Sequence, residues 1–383
     1  MKRIALFPSA FHPSLGGVEE LTGQLALNFV KRGLEVMIFT NRWPRNLPSR
    51  EKWRGITLRR LPFRLPENGF KSWLGSLLTR HLVCRALAAL VRDFGADVIH
   101  VQCVSSNGWY ASKVAAQLGL PLVVTAQGEL TMDAGGLYQK SPFHNRLLQG
   151  VIGRAHRVTG CSRSTLEELE SYFGRQLGQR GAVVHNGVGL EAFESGAGWV
   201  HTAPYFLAIG RVVAQKGFYE LIKAYAASGV MDIDLLLAGD GPDMARLRAL
   251  RAELGLSGRV HFLGRAGRTA VHSLMRGATG VVVPSLREPF GIVSLEAMAA
   301  GKALLASCVG GIPEVVPNGV GVHLVPPGDV EALAEGLRWL SAGARVDCAE
   351  GLRRHAMHFV WPRIAERYLA VYREAVLAAG STP

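Results

Sequence analysis

Short apolar runs alternate with longer segments whose apolar positions recur at helical spacing along most of the chain. Arg3–Pro8 reads as a strand, Gly17–Lys31 as a helix with one apolar face, and Leu34–Thr40 as a second strand, which is a βαβ opening. The pattern continues through strands at Asp97–Gln102, Pro121–Thr125 and His156–Cys161, with helices at Asn107–Leu118 and Arg163–Tyr172. One more short strand should close a first domain, residues 1–185, near Val184 and His185. Residues 186–203 are expected to form a linker, because Glu191 through Ala203 is rich in Gly, Ser and Ala and has no clear period. A second domain, 204–358, then shows strands at Tyr205–Ile209, Ile233–Ala238, Val260–Leu263, Gly280–Val283, Ala303–Ala306 and Val322–Leu324. Residues 359–383 carry a long closing helix, Trp361–Ala379. This alternation predicts an α/β protein of two doubly wound halves, with ligand sites at the C-terminal strand edges and a candidate active site in the cleft between the halves.

Length agrees with two domains, since 383 residues exceed the roughly 250–300 that one core supports. No apolar run reaches the 18 or so residues that would suggest a membrane span, and the apolar stretch after the basic start is too short for a secretory signal. Cys84, Cys103, Cys161, Cys308 and Cys348 are scattered and odd in number, which fits a reduced cytoplasmic compartment, and no Cys/His cluster has the spacing of a structural zinc site.

The net charge of +13 is unevenly placed: residues 1–190 hold 24 Lys/Arg against 12 Asp/Glu, and residues 191–383 hold 19 against 18. Within the first half, residues 42–85 carry eleven Lys/Arg and only Glu51 and Glu67, interleaved with Trp43, Trp53, Phe63, Phe70 and Trp73. Such mixing suits an anionic acceptor groove or a peripheral contact with an anionic membrane face. Nucleic acid ranks third, because no dedicated binding motif is present. From Phe70 to Arg92, Trp73, Leu74, Leu77, Leu78, Leu82, Val83, Leu87 and Leu90 fit one helix face, with Lys71, Arg80, Arg85 and Arg92 around it; an ordinary helix packed on its own sheet is the favoured reading there.

The most informative chemistry lies in the second half. Val281–Val283 reads as a buried strand, Pro284 and Ser285 end it, and Gly291–Ala300 reads as a helix closed by Gly301. The amides of Gly291, Ile292 and Val293 would lack intrahelical partners and, with the helix dipole, suit a diphosphate. Glu288 precedes the helix and Glu296 lies roughly 7.5 Å along it, so carboxylates flank that anion on both sides, one placed for a sugar and one for a ribose. Arg211 and Lys216 follow the first strand of the same domain and could balance charge on a departing diphosphate without a metal. Gly16 and Gly17 open the first helix, where paired glycines allow close backbone approach and positive φ. Leu263 and Arg265 end a further strand and could line a base and ribose pocket, with Phe290 beside the helix start. Asp232-Ile233-Asp234 lies at the wrong end of its strand for a ligand and reads as a solvated strand start, so no metal is invoked.

The segment Ser285–Val316, SLREPFGIVSLEAMAAGKALLASCVGGIPEVV, resembles the donor-site signature of retaining glycosyltransferases of family 4, which have the GT-B fold. Further matches, in fixed order, are Gly16-Gly17-Val18-Glu19, Asp97-Val98-Ile99-His100, Asn186-Gly187-Val188, Ile209-Gly210-Arg211 with Lys216-Gly217, Ala238-Gly239-Asp240-Gly241-Pro242 and Arg259-Val260-His261-Phe262-Leu263-Gly264. The resemblance implies two Rossmann-like domains facing a cleft, with the C-terminal helix crossing back to the first. It implies a nucleotide-diphosphate-sugar donor bound without a further cofactor, and a saccharide, lipid-linked or small-molecule acceptor held by residues 1–185. It makes Arg211 and Lys216 the diphosphate ligands, Glu288 a sugar ligand and Glu296 a ribose ligand. The chain departs from the pattern at Gln127, where many members have a His near the donor sugar, and at Gly189, where Asp is common. Gln can hydrogen-bond a sugar hydroxyl but does not titrate near neutral pH. Competing readings are a non-catalytic nucleotide-sugar-binding protein, motivated by Gln127, and a sugar-nucleotide epimerase on the same fold. A nicotinamide-dependent oxidoreductase is disfavoured because no G-x-G-x-x-G follows the first strand.

Overall fold

The computed structural model describes all residues except 15, 66–69, 134–135, 318, 320, 343–347 and 381–383, with the backbone alone described at 70–78 and 139. Two compact units emerge: Met1–His185 together with Trp361–Pro383, and Asn186–Val360.

The first unit is built on an eight-stranded sheet of β1 (Arg3–Pro8), β2 (Glu35–Asn41), β3 (Arg50–Trp53), β4 (Ile56–Leu61), β5 (Val98–Gln102), β6 (Leu122–Ala126), β7 (Arg157–Gly160) and β8 (Gly181–Val183), in the order β3-β4-β2-β1-β5-β6-β7-β8. Every pairing is parallel except β3 with β4. Strand periodicity sends successive residues of β1 to opposite faces. Ala5 and Phe7 enter a cluster with Phe39, Phe63, Leu87 and Tyr110. Ile4 and Leu6 enter another with Phe29 of helix Gly17–Lys31 and with Trp361, Ile364, Tyr368 and Tyr372 of helix Trp361–Gly380. The closing helix therefore returns to the first unit and completes one of its two cores, each fully buried large apolar side chain contributing about 1.5–3 kcal/mol.

Polar groups seat this helix as well. His100, fully buried in β5, bonds through Nε2 to Thr125 Oγ1 at 2.7 Å and through Nδ1 to Tyr372 Oη at 2.5 Å. Burial penalises the imidazolium and depresses the His100 pKa to about 3.

The cationic segment is partly internal, which narrows the surface expected from it. A hairpin joins β3 to β4 through Arg54 and Gly55, both at positive φ. Trp53 packs edge-on against Phe11 at 5.1 Å, and Phe63 is buried in a stack with Tyr110. Arg60 is buried and donates to the carbonyls of His12 and Pro48 and to Glu51. Trp43 stays 70% exposed. In the following helix, Phe70–Phe94, Val83 and Leu87 are buried but Leu82 is exposed, so Leu82 leaves the expected apolar face. Glu67 and the side chains of Phe70, Lys71, Trp73, Leu74, Leu77 and Leu78 lie outside the described residues.

The second unit has a parallel sheet of β9 (Tyr205–Ile209), β10 (Asp234–Ala238), β11 (Val260–Gly264), β12 (Gly280–Val283), β13 (Leu304–Ser307) and β14 (Val322–Val325), ordered β11-β10-β9-β12-β13-β14. Residues 186–203 are folded onto this unit, which corrects the expectation of a linker. Val188 bridges to Val360, Phe193 is buried against the His272 ring, and the Trp199 amide donates to the Ser273 carbonyl at 2.8 Å. The few apolar side chains in that Gly-rich stretch suffice to anchor it. No described helix is long and apolar enough to cross a membrane.

Candidate active site

Strand order reverses between β9 and β12, which lie side by side while β10–β11 run to one edge and β13–β14 to the other. At such a switch point the loops leaving the two central strands diverge and open a crevice at their C-terminal ends. Arg211 and Lys216 lie in the loop after β9, and Glu288 in the loop after β12.

The two loops are stitched together by backbone. The Leu286 and Arg287 amides donate to the Gln215 carbonyl at 2.8 and 3.1 Å. Gly217, at φ 66°, presses on β12's end so closely that a Cβ there would sit 1.9 Å from the Pro284 carbonyl oxygen. Lys216 is thereby brought to Glu288, Nζ to Oε2 at 2.6 Å, and Ser285 Oγ donates to the same oxygen at 3.1 Å. The side chains of Lys216 and Glu288 are 18% and 10% exposed, so the pair is largely desolvated. The Arg211 guanidinium is exposed and has no hydrogen bond or ion pair among the described residues.

The helix after Glu288 runs Ile292–Ala299 rather than starting at Gly291, which caps it at φ 92°. Ala300 is its C-cap, and Gly301 follows at φ 69°. Among the described residues the amides of Gly291, Ile292 and Val293 have no acceptor, whereas those of Ser294 and Leu295 donate to the Gly291 carbonyl. Ser294 Oγ in the same turn is buried and unpartnered among the described residues. Three amides, the positive end of the helix dipole, a hydroxyl and Lys216 thus lie about one strand edge, with Arg211 on the adjoining loop, a donor set that suits an anion carrying several oxygens.

Glu296 is buried one turn on, and its Oε1 accepts from Arg268 Nη1 at 2.5 Å. Arg268 opens helix Arg268–Gly277 after β11 and was not expected at this place. Its signal was position alone: like Arg211, it follows a strand at the ligand edge of the sheet. Leu263 is 37% exposed near the end of β11, Arg265 is exposed in the loop leading to Arg268, and Phe290 is buried under the helix start.

The remaining candidates lie in the first unit. Gly16 is extended, at φ −165°, and Gly17 is helical, so neither uses the positive φ that motivated the pair; a Cβ on Gly17 would meet open space. Gln127 follows β6, its Nε2 donating to Gln102 Oε1 at 3.1 Å and its amide to Glu129 Oε2 at 2.8 Å. Glu129 is partly buried, and desolvation raises its pKa despite amide donors from Val104 and Gln127. Asp234 corrects the solvated reading of its motif: it begins β10 at the edge away from the site, as expected, but is buried and bonded to His201, Arg259 and His261.

Solved structures share this architecture over the full chain. A sucrose-phosphate synthase from Thermosynechococcus elongatus superposes with a TM-score of 0.78 at 24% identity, covering 100% of both chains. Anabaena HepE in complex with UDP and glucose does so at 0.76 and 19%, covering 97% of this chain and 99% of that one. Two doubly wound units of this kind are the architecture of the GT-B fold. The family described as Glycosyltransferase Family 4 matches residues 15–192, and Glycosyl transferases group 1 matches residues 191–354. D-inositol 3-phosphate glycosyltransferase of Mycolicibacterium paratuberculosis is 30% identical over 94% of this chain and 86% of its own length, and the Catenulispora acidiphila protein of that name is 30% identical over 96% and 93%. The chain belongs to glycosyltransferase family 4.

Proposed function

We propose that this glycosyltransferase is retaining and metal-independent, and moves a sugar from a nucleoside-diphosphate donor to an acceptor hydroxyl. The observation that carries the reading is the convergence of Lys216 and Glu288 at the start of helix Ile292–Ala299, beside free amides and an unpaired Arg211. Arg211, Lys216 and the amides balance the negative charge that grows on the departing diphosphate, which leaves that role to fixed protein groups. Glu288 holds sugar hydroxyls and Glu296, oriented by Arg268, the ribose. The bond from the anomeric carbon to the phosphate oxygen breaks as the bond to the acceptor oxygen forms on the same face. The acceptor proton passes to the departing phosphate oxygen, so the chemistry does not require a titrating side chain at Gln127.

The acceptor is held by residues 1–185, whose excess of cations favours an anionic molecule; the curated relatives are named for a phosphorylated polyol. A saccharide or lipid-linked acceptor presented at an anionic membrane would use exposed Trp43 and the arginines around it. The test is transfer from UDP-, GDP-, ADP- and dTDP-sugars to phosphorylated and neutral polyols in EDTA, with the anomeric configuration of the product read by NMR. Inverted product, or turnover only after a divalent ion is restored, overturns the proposal.

A further inference from the structure

A second cluster of chemically capable side chains lies at the opposite, N-terminal edge of the second unit's sheet. Asp234 begins β10, and its amide is held by the Pro204 carbonyl at 2.8 Å. His261 pairs with Leu236, two residues beyond Asp234, so the pleat puts the His261 and Asp234 side chains on one face of the sheet. His201 precedes β9 and reaches the same place, its ring edge-on to Tyr205 at 5.9 Å and to His261 at 5.0 Å. Both imidazoles address a single oxygen, with Nε2 of His201 at 2.8 Å and of His261 at 3.0 Å from Asp234 Oδ2. Arg259 occupies the other oxygen, Nη1 to Oδ1 at 3.1 Å. Two nitrogens and one carboxylate oxygen thus lie within 4.8 Å of one another.

We propose that His201, Asp234 and His261 form a binding site for one divalent transition-metal ion of the zinc, cobalt or nickel type. Imidazole and carboxylate ligands suit those ions, and bonds of about 2.0–2.1 Å set tetrahedral ligand atoms about 3.3 Å apart. The imidazole nitrogens lie 2.8 and 3.0 Å from Oδ2, slightly inside that spacing, and within 4.8 Å of each other, so a turn of the two rings towards one another closes the set. With Nε2 on the ion, each ring carries its proton on Nδ1; the two side chains are 19% and 32% exposed. Arg259 holds Oδ1 and leaves Oδ2 for the ion, the outer-shell role that fixes a ligating carboxylate. A water fills the fourth position. The site is far along the sheet from Lys216 and Glu288, so the ion clasps the segment before β9 onto β10 and β11 and takes no part in sugar transfer.

The experiment is titration of EDTA-treated, buffer-exchanged full-length protein with CoCl2, followed by visible absorption, and with ZnCl2, followed by calorimetry. One equivalent should bind, with the strong absorption of four-coordinate cobalt. His261→Gln and His201→Gln, which keep an amide donor for Asp234, should each weaken binding by at least about tenfold, the lower end of what lost supporting partners cost. Nucleotide-induced thermal shifts should be the same in wild type and both variants, which establishes that the second unit is folded. Absence of saturable uptake by wild type overturns the proposal, as does equal uptake by variants that still respond to nucleotide, which would put the ion on histidines elsewhere.

Discussion

His100→Gln should abolish most of the acid sensitivity that one buried imidazole confers on the first unit. Folded His100 stays neutral down to about pH 3, because burial excludes its charged form, whereas the unfolded residue takes up a proton near the ordinary value of about 6.5. Between those limits the unfolded state binds more protons, so stability is present above pH 6.5 and is lost progressively as pH falls towards 3. At 1.36 kcal/mol per pKa unit, the loss between pH 7.5 and 4.5 is about 2.7 kcal/mol. Gln keeps a donor and an acceptor for Thr125 and Tyr372 but does not titrate, so the variant should be weaker by about 1–2 kcal/mol at neutral pH and lack that increment of slope. Partly buried Glu129 acts in the opposite sense, since its raised pKa favours the folded state as acid is added, but it is common to both proteins and cancels in their difference. The assay is urea unfolding at several pH values, read by hydrogen exchange in peptides from β5 and helix Trp361–Gly380 so that only the first unit is followed. Parallel curves for the two proteins, with a gap constant to about 0.5 kcal/mol, would refute the reasoning and mean that His100 reaches solvent or titrates normally.

Further outcomes concern the second unit. Arg211→Ala and Lys216→Ala should each lower kcat for transfer by about 100- to 1,000-fold, the usual cost of deleting one group that meets developing charge; a change confined to KM would show that the residue binds the donor without aiding departure. Glu288→Gln should leave the far-UV spectrum unchanged and collapse turnover by on the order of 100-fold, whereas near-normal rates would remove Glu288 from the site. Arg268→Ala removes one hydrogen bond from the buried Glu296 carboxylate and should raise the donor KM about tenfold with kcat little changed; an equal fall in kcat would place the pair at the reacting centre instead. In a thermal-shift panel of UDP, GDP, ADP and dTDP, the matched nucleotide should stabilise the protein by about 2.7 kcal/mol at 100 times its Kd, and identical responses to all four would mean that the base is not read.

Much of the fold was legible because parallel strands buried on both faces write themselves as apolar runs; β9, β10 and β12 fell where Tyr205–Ile209, Ile233–Ala238 and Gly280–Val283 had placed them, to within a residue. β3 did not show, since Arg-Glu-Lys-Trp forms an edge strand with three charged residues and a single apolar one, Trp53, and its turn uses Arg54 where Asn or Gly is the usual signal. Composition misled in two places. Glycine and serine suggested a free linker at 186–203, yet Phe193 and Trp199 fix it, and a surplus of arginine suggested a surface where Arg60 is in fact a buried crosslink. The Asp234 cluster was invisible for a different reason: its members come from three separate strands or their approaches, and only sheet register brings them together.

The same distinction governs the active site. Sequence spacing placed Glu288 and Glu296 on either side of a helix start, but not the cation each one meets, because Lys216 and Arg268 arrive from loops after other strands. Those pairings change what the carboxylates can do. Four charges cancel in two pairs, so on the proposed function the net attraction for a diphosphate comes from Arg211 and from the helix end, worth roughly half an elementary charge. In the proposed reaction Lys216 divides its three donors between Glu288 and the incoming phosphate, and a sugar hydroxyl shares Glu288 with Lys216 and Ser285. In the proposed reaction that sharing favours the transition state, because negative charge growing on the leaving phosphate draws Lys216 more strongly than the neutral-bodied sugar draws Glu288. On the proposed mechanism, catalysis by this pair is a shift of one ammonium's hydrogen bonds across a short distance, and the backbone stitching of Gln215 to Leu286 and Arg287 holds the two loops ready for it.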